Sequence, residues 1–314
     1  MVLDLLPDRG LDQSILLAIL LGVYLLLFLS EAFGWVFVGL IVPGYLASVY
    51  VIQPAAGLAI SVEAILTFVI SRFVSDTTSK SGVFSPFFGR ERFFVIILVS
   101  VIVRQNSQVW MMPHLSRLSA FWFGTNPAAE LDLASIGLVL VPLVANAMWK
   151  LDIRRGAFQV GVPTLAIYAL LQWVLLPYTN LSYSSFSLTY EDVARDFLGS
   201  PKAYIILLTG AYFAARYGLR FGWDYNGILV PALLALAWFH PFRLAATAIE
   251  AIILVYLTKR FLALPYIRTL NLEGARKVAI VLTLSFAWKY VLVQAVGDRL
   301  PQIKITDLFG FGYL

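Results

Sequence analysis

The sequence of 314 residues contains no cysteine and two histidines, His114 and His240. Disulfide bonds, thiolate zinc sites and thiol nucleophiles are therefore excluded, and two histidines are too few for a histidine-based metal site. Charged residues make up 13% of the chain, against about 25% in a usual water-soluble domain. The composition predicts no metal site and no bound cofactor, and it disfavours a water-soluble fold.

Long apolar runs take the place of the missing charge. Hydrophobic residues account for 60% of the chain, and the mean hydropathy is +0.83. Several runs reach about 18 residues, which suits a helix crossing a hydrocarbon core roughly 30 Å thick, and they lack the alternation of barrel strands. We predict an all-α polytopic membrane protein with about ten transmembrane helices, at 14–33, 35–52, 55–71, 93–112, 133–149, 157–177, 203–219, 226–239, 244–258 and 278–297.

The distribution of lysine and arginine predicts the orientation. If every predicted span crosses, one set of loops carries twice as many of these residues as the other set. The richer set faces the cytoplasm under the positive-inside rule. We therefore expect a multi-pass protein in contact with membrane lipid, with its N-terminus outside. The first apolar run lacks a basic leader and a small-residue cleavage site, so we expect it to be retained.

One fifteen-residue motif occurs twice in the chain. FGWVFVGLIVPGYLA spans 33–47, and FGWDYNGILVPALLA spans 221–235. The similarity continues on both sides, which predicts a tandem repeat. The predicted domains are a first membrane unit of six helices at 1–177, an extracytoplasmic loop at 178–202, and a second, incomplete membrane unit of four helices at 203–314. Either a partner supplies the missing end of the second unit, or that end is unnecessary.

A weaker similarity lies within the first unit. VGLIVPGYLA (38–47) resembles IGLVLVPLVANA (136–147), on spans three crossings apart that run in opposite directions. This predicts a 3 + 3 inverted-topology repeat with Pro/Gly-broken helices, because a proline in mid-span removes a backbone hydrogen bond and glycines allow bending and close packing. An ordinary kinked helix is the alternative. The predicted motif residues are Gly39, Pro43, Gly44, Gly137, Pro142, Asn146, Gly227 and Pro231.

Acidic and basic side chains fall at similar depths inside the predicted spans of both units. Charges in a membrane are costly, so they are usually paired or functional. We predict two intramembrane ion pairs, Glu63–Arg104 and Glu250–Lys289. The pairs either fix helix register alone or form a charged cavity wall or gate. Glu31 has no partner that the sequence identifies.

Two basic clusters lie in loops predicted to be cytoplasmic, GRER at 89–92 and KLDIRR at 150–155. They either set topology and contact anionic lipid, or dock a cytoplasmic partner or an anionic polymer. Their arginines are Arg90, Arg92, Arg154 and Arg155. The chain has no Walker-type phosphate loop and no G-x-S-x-G motif. We therefore predict that it is not an enzyme, and we expect no catalytic residue and no nucleic-acid partner.

The motif GLIVPGYLA is followed by a basic segment, GRERF, and then by GLVLVPLVANAMWKLDIRRG. This order of motifs resembles the PgsC/CapC family over about residues 14–177, and more loosely over 203–314. Leu143 and Ala232 depart from glycines of the family pattern. The matching positions are Gly39, Val42, Pro43, Gly44, Tyr45, Leu46, Gly89, Arg90, Arg92, Phe93, Gly137, Val141, Pro142, Ala145 and Asn146. A weaker resemblance is to seven-helix membrane domains fused to an inactive transglutaminase-like domain.

Members of the PgsC/CapC family are small membrane subunits of bacterial poly-γ-glutamate synthesis and export. The resemblance implies a non-catalytic subunit of the bacterial inner (cytoplasmic) membrane, working with a cytoplasmic amide ligase and other membrane subunits in an anionic-polymer synthesis and export complex. Two other functions stay open. One is a secondary transporter coupled through intramembrane glutamates, and the other is a scaffold that binds other membrane proteins.

Overall fold

The structure, a computed structural model, describes the chain between residues 3 and 297 apart from a set of gaps. The longer gaps are 81–88, 122–136, 184–200 and 222–228. Shorter gaps fall at 5, 8–10, 13, 37–38, 40, 112, 115–116, 118–120, 150, 237, 239–240 and 271. The described residues form helices joined by irregular segments, and no strand is found among them. The predicted all-α class is confirmed.

Helices follow one another along the chain as the apolar runs predict, and a described helix overlaps each predicted span. The helices are α1 (Leu16–Phe33), α2 (Val42–Ile52), α3 (Pro54–Lys80), α4 (Gly89–Trp110), α5 (Gly137–Trp149), α6 (Ile153–Leu170), α7 (Pro201–Phe221), α8 (Leu229–Leu236), α9 (Pro241–Leu262), α10 (Pro265–Arg268) and α11 (Ala275–Gly297). A π-helical turn, Leu171–Leu175, and a last turn, Leu176–Tyr178, continue α6.

Helix length divides the apolar helices into two groups. Among the described residues, five segments are long and apolar enough to cross a membrane: Leu16–Phe33, Pro54–Lys80, Glu91–Trp110, Ile153–Tyr178 and Ala275–Ala295. The apolar helices α2 and α5 have 11 and 13 residues. They are about 16 and 20 Å long at 1.5 Å per residue, which is shorter than a hydrocarbon core of about 30 Å. The chain is a helical membrane protein, and the count of ten crossings stays a prediction.

The span 35–52 was predicted as a crossing with a Pro/Gly-broken helix, and the helix described within it, α2, begins at Val42. α1 ends at Phe33, and Gly34 caps it with a left-handed φ of 65°. Gly39 also has a positive φ, 54°, and α2 begins only at Val42. Glycine adopts such angles without the steric penalty of a Cβ. The described residues of this apolar run are therefore not helical before Val42.

The three motif prolines occupy different places in their helices. Pro43 is the second residue of α2, where the backbone N–H has no acceptor within the helix and a proline is well tolerated. Pro43 therefore does not lie in the middle of a helix, and the alternative of an ordinary kink at this proline does not hold. Pro231 also lies in a first turn, that of α8, whereas Pro142 lies inside α5. Gly227 lies outside the described residues.

The chain forms two compact units, each assembled from separate stretches. The first compact unit comprises Met1–Ile52, Gly161–Asp192 and Ala237–Leu314, and the second comprises Gln53–Val160 and Val193–Leu236. Each compact unit therefore takes residues from both predicted sequence units, 1–177 and 203–314. The predicted domain boundaries concern sequence similarity, and they stay a prediction.

In the first compact unit, α1 and α2 pack with their backbones in contact. A Cβ on Gly44 would overlap the carbonyl oxygen of Ala18 and lie 2.6 Å from Ile19 Cα. A Cβ on Gly22 would lie 2.8 Å from Gly44 N. Small residues allow this close approach in many membrane helix pairs, and Gly44 has the packing role expected of it. The buried core beside the pair consists of Leu6, Leu11, Ala18, Ala47, Ile167, Leu171, Leu181 and Val293.

In the second compact unit, α3, α4 and α5 pack against one another, and α7 packs on α4. The buried face of α3 changes character along its length. Its first part is mainly alanine and glycine, which lets neighbouring helices approach, and its later part carries buried polar groups. The buried residues of α3 are Ala55, Ala56, Gly57, Ala59, Ile60, Glu63, Ala64, Thr67, Phe68, Ser71 and Ser75. This polar part of the interior holds the candidate site.

Candidate functional site

A buried ion pair joins α3 and α4 in the second compact unit. Arg104 Nη1 donates to Glu63 Oε2 at 3.0 Å, and each side chain is 2% exposed. Ser107, on the next turn of α4, donates its hydroxyl to Glu63 Oε1. Both carboxylate oxygens therefore have a donor. A buried pair of this kind is tolerated because good geometry and added hydrogen bonds offset the loss of hydration. The structure thus contains the predicted Glu63–Arg104 pair, and its function stays a prediction.

Gly137 makes room for this arginine. It is the first residue of α5, and a Cβ at this position would overlap Arg104 Nη1 and lie 3.0 Å from Ile60 Cγ1. The guanidinium therefore lies directly against the backbone of α5. Gly137 belongs to the predicted broken-helix motif, and in the structure it leaves room for the buried guanidinium of Arg104.

Other donors of Arg104 have no acceptor in the part of the chain that the structure describes. Its Nε and Nη2 atoms are buried and have no hydrogen-bond acceptor among the described residues. A buried donor without an acceptor costs about 1–3 kcal/mol, and more when it is charged. The pair with Glu63 therefore balances the charge of Arg104 but leaves part of its hydrogen-bonding capacity unmet.

A stripe of hydroxyl groups continues from Glu63 along α3. Thr67 and Ser71 follow it at intervals of four residues, so they share its face of the helix, and both are fully buried. Their hydroxyls have no hydrogen-bond partner in the described part of the chain. Ser61 and Thr77, on the same helix, instead donate to the carbonyls four residues earlier, at 2.9 and 2.7 Å. On α3, the two buried hydroxyls without a partner in the described chain are thus those of Thr67 and Ser71, on the same face as Glu63.

Two arginines and a tryptophan lie close together beside the later part of α3 and the first turn of α4. The guanidinium carbons of Arg72 and Arg92 lie 5.7 and 5.8 Å from the centroid of the Trp149 ring, within cation–π range. Arg92 Nη2 also donates to Asn146 Oδ1 at 3.4 Å. Asn146 belongs to the predicted broken-helix motif, and in the structure its side chain accepts from this arginine. Phe68 packs edge-on against Trp149, with centroids 6.0 Å apart.

Further arginines follow in the first turn of α6, which begins four residues after Trp149. Arg154 and Arg155 are exposed there. Arg90 lies in the first turn of α4, and its side chain is outside the described set. The helix dipole disfavours cations at a helix N-terminus, so these arginines do not serve helix stability. We call Arg72, Arg92, Arg154 and Arg155 the basic end of the second compact unit.

A second buried pair lies in the first compact unit, between α9 and α11. Lys289 Nζ is 3.2 Å from Glu250 Oε1, and the two side chains are 2% and 9% exposed. Ser285, one turn before the lysine, donates to the same carboxylate oxygen at 3.5 Å, the outer limit for a hydrogen bond. The structure thus contains the second predicted pair, with a different cation and looser support from serine.

Glu31, for which the sequence offered no partner, is paired in the structure. Arg276 Nε donates to its Oε1 at 2.6 Å, and about half of each side chain is exposed. No sequence signal links these residues, which are 245 positions apart. Exposed pairs contribute about 0–1 kcal/mol, so this contact contributes little to the stability of the fold.

Among the described residues, no group of three or more His, Asp or Glu could hold a metal ion.

Comparison with known proteins places the sequence in a family. The family model described as capsule biosynthesis CapC matches residues 21–157 and 209–314, together more than half of the chain. The chain belongs to the CapC family. It is 28% identical over 138 residues to the PGA biosynthesis protein CapC of Bacillus subtilis (strain 168), covering 44% of this chain and 80% of that protein. No solved structure matches it. Each matched region of this CapC-family chain contains one of the buried ion pairs, and the predicted PgsC/CapC resemblance is confirmed.

Proposed function

We propose that this CapC-family chain is a non-catalytic membrane subunit that receives an anionic polymer of the poly-γ-glutamate type and helps to pass it outward. A cytoplasmic amide ligase makes the polymer, and other membrane subunits complete the export complex. Family membership and the name of the Bacillus subtilis relative support a role in capsule and PGA synthesis. One structural observation carries the finer proposal: the basic end adjoins a buried polar interior that extends into the membrane-spanning helices.

The polymer would meet cations and hydroxyls rather than hydrocarbon in this interior. A chain with a carboxylate on every residue carries dense negative charge, and moving such charge through a bilayer core is costly. Arg72 lies nine residues from Glu63 on α3, about 14 Å, and Arg92 lies twelve residues from Arg104 on α4, about 18 Å. The hydroxyls of Thr67 and Ser71 occupy the interval on α3. Cationic groups therefore stand at both ends of a polar stripe.

The positive-inside rule supports the direction of passage. Arginines of the basic end belong to the loop set that is richer in positive charge, which favours the cytoplasmic face. An ATP-dependent ligase works on that face. The basic end would thus be the entry, and Arg104 would lie deeper in the membrane.

Deletion and complementation test the proposal. We expect loss of extracellular polymer in a strain lacking the chain, with ligase abundance unchanged, and recovery when the full chain is restored. Polymer is measured as glutamate released by acid hydrolysis of the medium and the cell surface. When the chain is purified in mild detergent, we expect the ligase to co-purify with it. Normal extracellular polymer in the deletion strain would contradict the proposal. ATP-dependent amide formation by the purified chain alone would contradict its non-catalytic part, and ion-coupled uptake by the lone chain in liposomes would favour a transporter.

A charge-matched pair of variants tests the basic end itself. Arg154→Gln with Arg155→Gln removes two exposed cations from it, and we expect less extracellular polymer at equal membrane abundance. Lys259→Gln with Arg260→Gln removes the same charge from the last turn of α9, in the first compact unit, and serves as the control. Equal effects of the two double variants would show that net charge matters and that the basic end does not.

A further inference from the structure

The guanidinium of Arg104 has nitrogens with and without a hydrogen-bond acceptor among the described residues. Nη1 is bonded to Glu63 and lies against Gly137, whereas Nε and Nη2 have no acceptor within the described residues. The side chain is 2% exposed, so bulk water does not take the place of that acceptor. Burial and unmet donors coincide at a cation in a membrane protein, where unsatisfied polar groups are normally avoided.

The two unused nitrogens form one binding edge. A guanidinium is planar and presents N–H donors as a rigid fork, with Nε–H and one Nη2–H on the same side. A carboxylate binds that edge through two parallel N–H···O bonds, which makes the contact strong and selective for geometry. Glu63 takes the third nitrogen, so its carboxylate does not occupy the fork.

We propose that the Nε/Nη2 edge of Arg104 is a binding site for a carboxylate group of the exported polymer. This inference rests on the proposed function and deepens it, because it names the group that recognises the polymer inside the membrane. The bound carboxylate is held by the fork while Glu63 and Ser107 fix the orientation of the guanidinium. Successive carboxylates of the chain exchange at this one edge as the polymer advances.

The hydroxyl stripe supports the assignment independently of the arginine. Thr67 and Ser71 are buried on the same face of α3 as Glu63, and their hydroxyls are unmet within the described chain although Ser61 and Thr77 bond to their own helix. Hydroxyls that do not bond the backbone remain able to donate to a passing carboxylate or its water. Guanidinium and hydroxyl donors without an acceptor in the described chain therefore lie on adjacent helices, α4 and α3, inside the second compact unit.

The second buried pair does not offer this edge. Lys289 carries an ammonium group, a point charge without a planar fork, and it falls at a similar depth in its predicted span to Arg104. Of the two buried pairs described, the one in the second compact unit therefore offers the bidentate edge. The substitution Arg104→Lys therefore tests the site, because it removes the planar fork and keeps the positive charge.

Binding of a dye-labelled oligomer of γ-linked glutamate to the purified full chain, in nanodiscs of uncharged lipid, tests the site by fluorescence anisotropy. Arg104→Lys keeps the charge and the partner of Glu63 but removes the fork, and we expect roughly tenfold to hundredfold weaker binding. Glu63→Gln removes the neighbouring negative charge and keeps the fork, so we expect equal or tighter binding. Ser100→Ala is the control, because Ser100 is buried on α4 and its hydroxyl bonds to Ile97 O at 2.7 Å.

The outcomes separate the site from a structural role. Weaker binding by Arg104→Lys together with equal or tighter binding by Glu63→Gln supports the site. Unchanged binding by Arg104→Lys overturns it, and so does a similar loss in both variants, which would mean that the ion pair only supports the fold. Displacement of the oligomer by unlabelled oligomer but not by inorganic phosphate is expected, and equal displacement by phosphate overturns the assignment to carboxylate.

The deletion strain and the binding measurements test the proposed function and the Arg104 site separately. Normal secretion in the deletion strain would contradict the proposed function, while the anisotropy measurements would still decide whether Arg104 binds the oligomer. Loss of secretion on deletion, combined with wild-type binding by Arg104→Lys, would overturn the site and leave the proposed function intact.

Discussion

The two buried ion pairs of this protein differ in cation, in support and in surroundings. Glu63–Arg104 has a serine donor on its carboxylate and a glycine backbone against its guanidinium. Glu250–Lys289 has a more exposed carboxylate and a serine contact at 3.5 Å. An ammonium offers three donors around one point, whereas a guanidinium offers five in a planar fork, more than one carboxylate can accept. The arginine pair therefore has spare capacity to bind a ligand, and the lysine pair is sufficient as a structural neutralisation.

The largest expected effect comes from removing one cation. Arg104→Leu leaves the Glu63 carboxylate buried without its partner, and breaking a buried pair in this way costs about 3–5 kcal/mol. Lys289→Leu is expected to cost less, because Glu250 is more exposed and water replaces part of the lost interaction. Unfolding in detergent, followed by circular dichroism against denaturant, measures both. A greater loss from Lys289→Leu would reverse the comparison.

An intermediate effect is expected from filling the space beside the arginine. Gly137→Ala places a methyl group where Arg104 Nη1 lies, so the guanidinium or α5 must move, at a cost of about 1–3 kcal/mol. Gly161→Ala is the matched control on α6, since a Cβ there meets nothing within 4 Å. The control is expected to be neutral or slightly stabilising, because alanine favours a helix. The same thermal stability in both variants would refute the tight fit of the guanidinium.

The smallest expected difference concerns the two serines. Ser107→Ala removes a hydrogen bond to the buried Glu63 carboxylate and is expected to cost about 1–3 kcal/mol. Ser285→Ala removes a contact at the limit of hydrogen bonding and is expected to cost less than about 0.5 kcal/mol. Denaturant midpoints of the two variants give the comparison, and equal shifts would indicate that serine supports both pairs alike.

Sequence predicted the ion pairs because helix geometry and span order fix the depth of a side chain. Glu63 and Arg104 lie on consecutive apolar runs, so their depths could be counted before any contact was known. The hydroxyl stripe was missed, although the interval of four residues from Glu63 to Thr67 to Ser71 was visible in the sequence. Its meaning depends on burial and on unmet hydrogen bonds, which only packing reveals.

Other features depended on tertiary contacts and backbone angles. The span 35–52 was assigned from hydropathy, but Gly34 and Gly39 take positive φ angles ahead of α2, and Pro43 lies in the first turn of that helix. The partner of Glu31 lies far away in sequence, and no pattern of spacing identifies Arg276. Apolar composition predicts where a chain enters the membrane, but it does not say where a helix begins within an apolar run.

The most direct measurement of the account is secretion by cells in which one pair is made apolar as a whole. Glu63→Leu with Arg104→Leu leaves no unpaired charge, and replacing a buried pair by packed hydrophobic residues is often neutral for stability. We predict that the double variant reaches normal membrane abundance but loses most extracellular polymer. The matching variant, Glu250→Leu with Lys289→Leu, is predicted to retain it. Normal secretion by the Glu63/Arg104 double variant would contradict the account and leave the pair a structural role only.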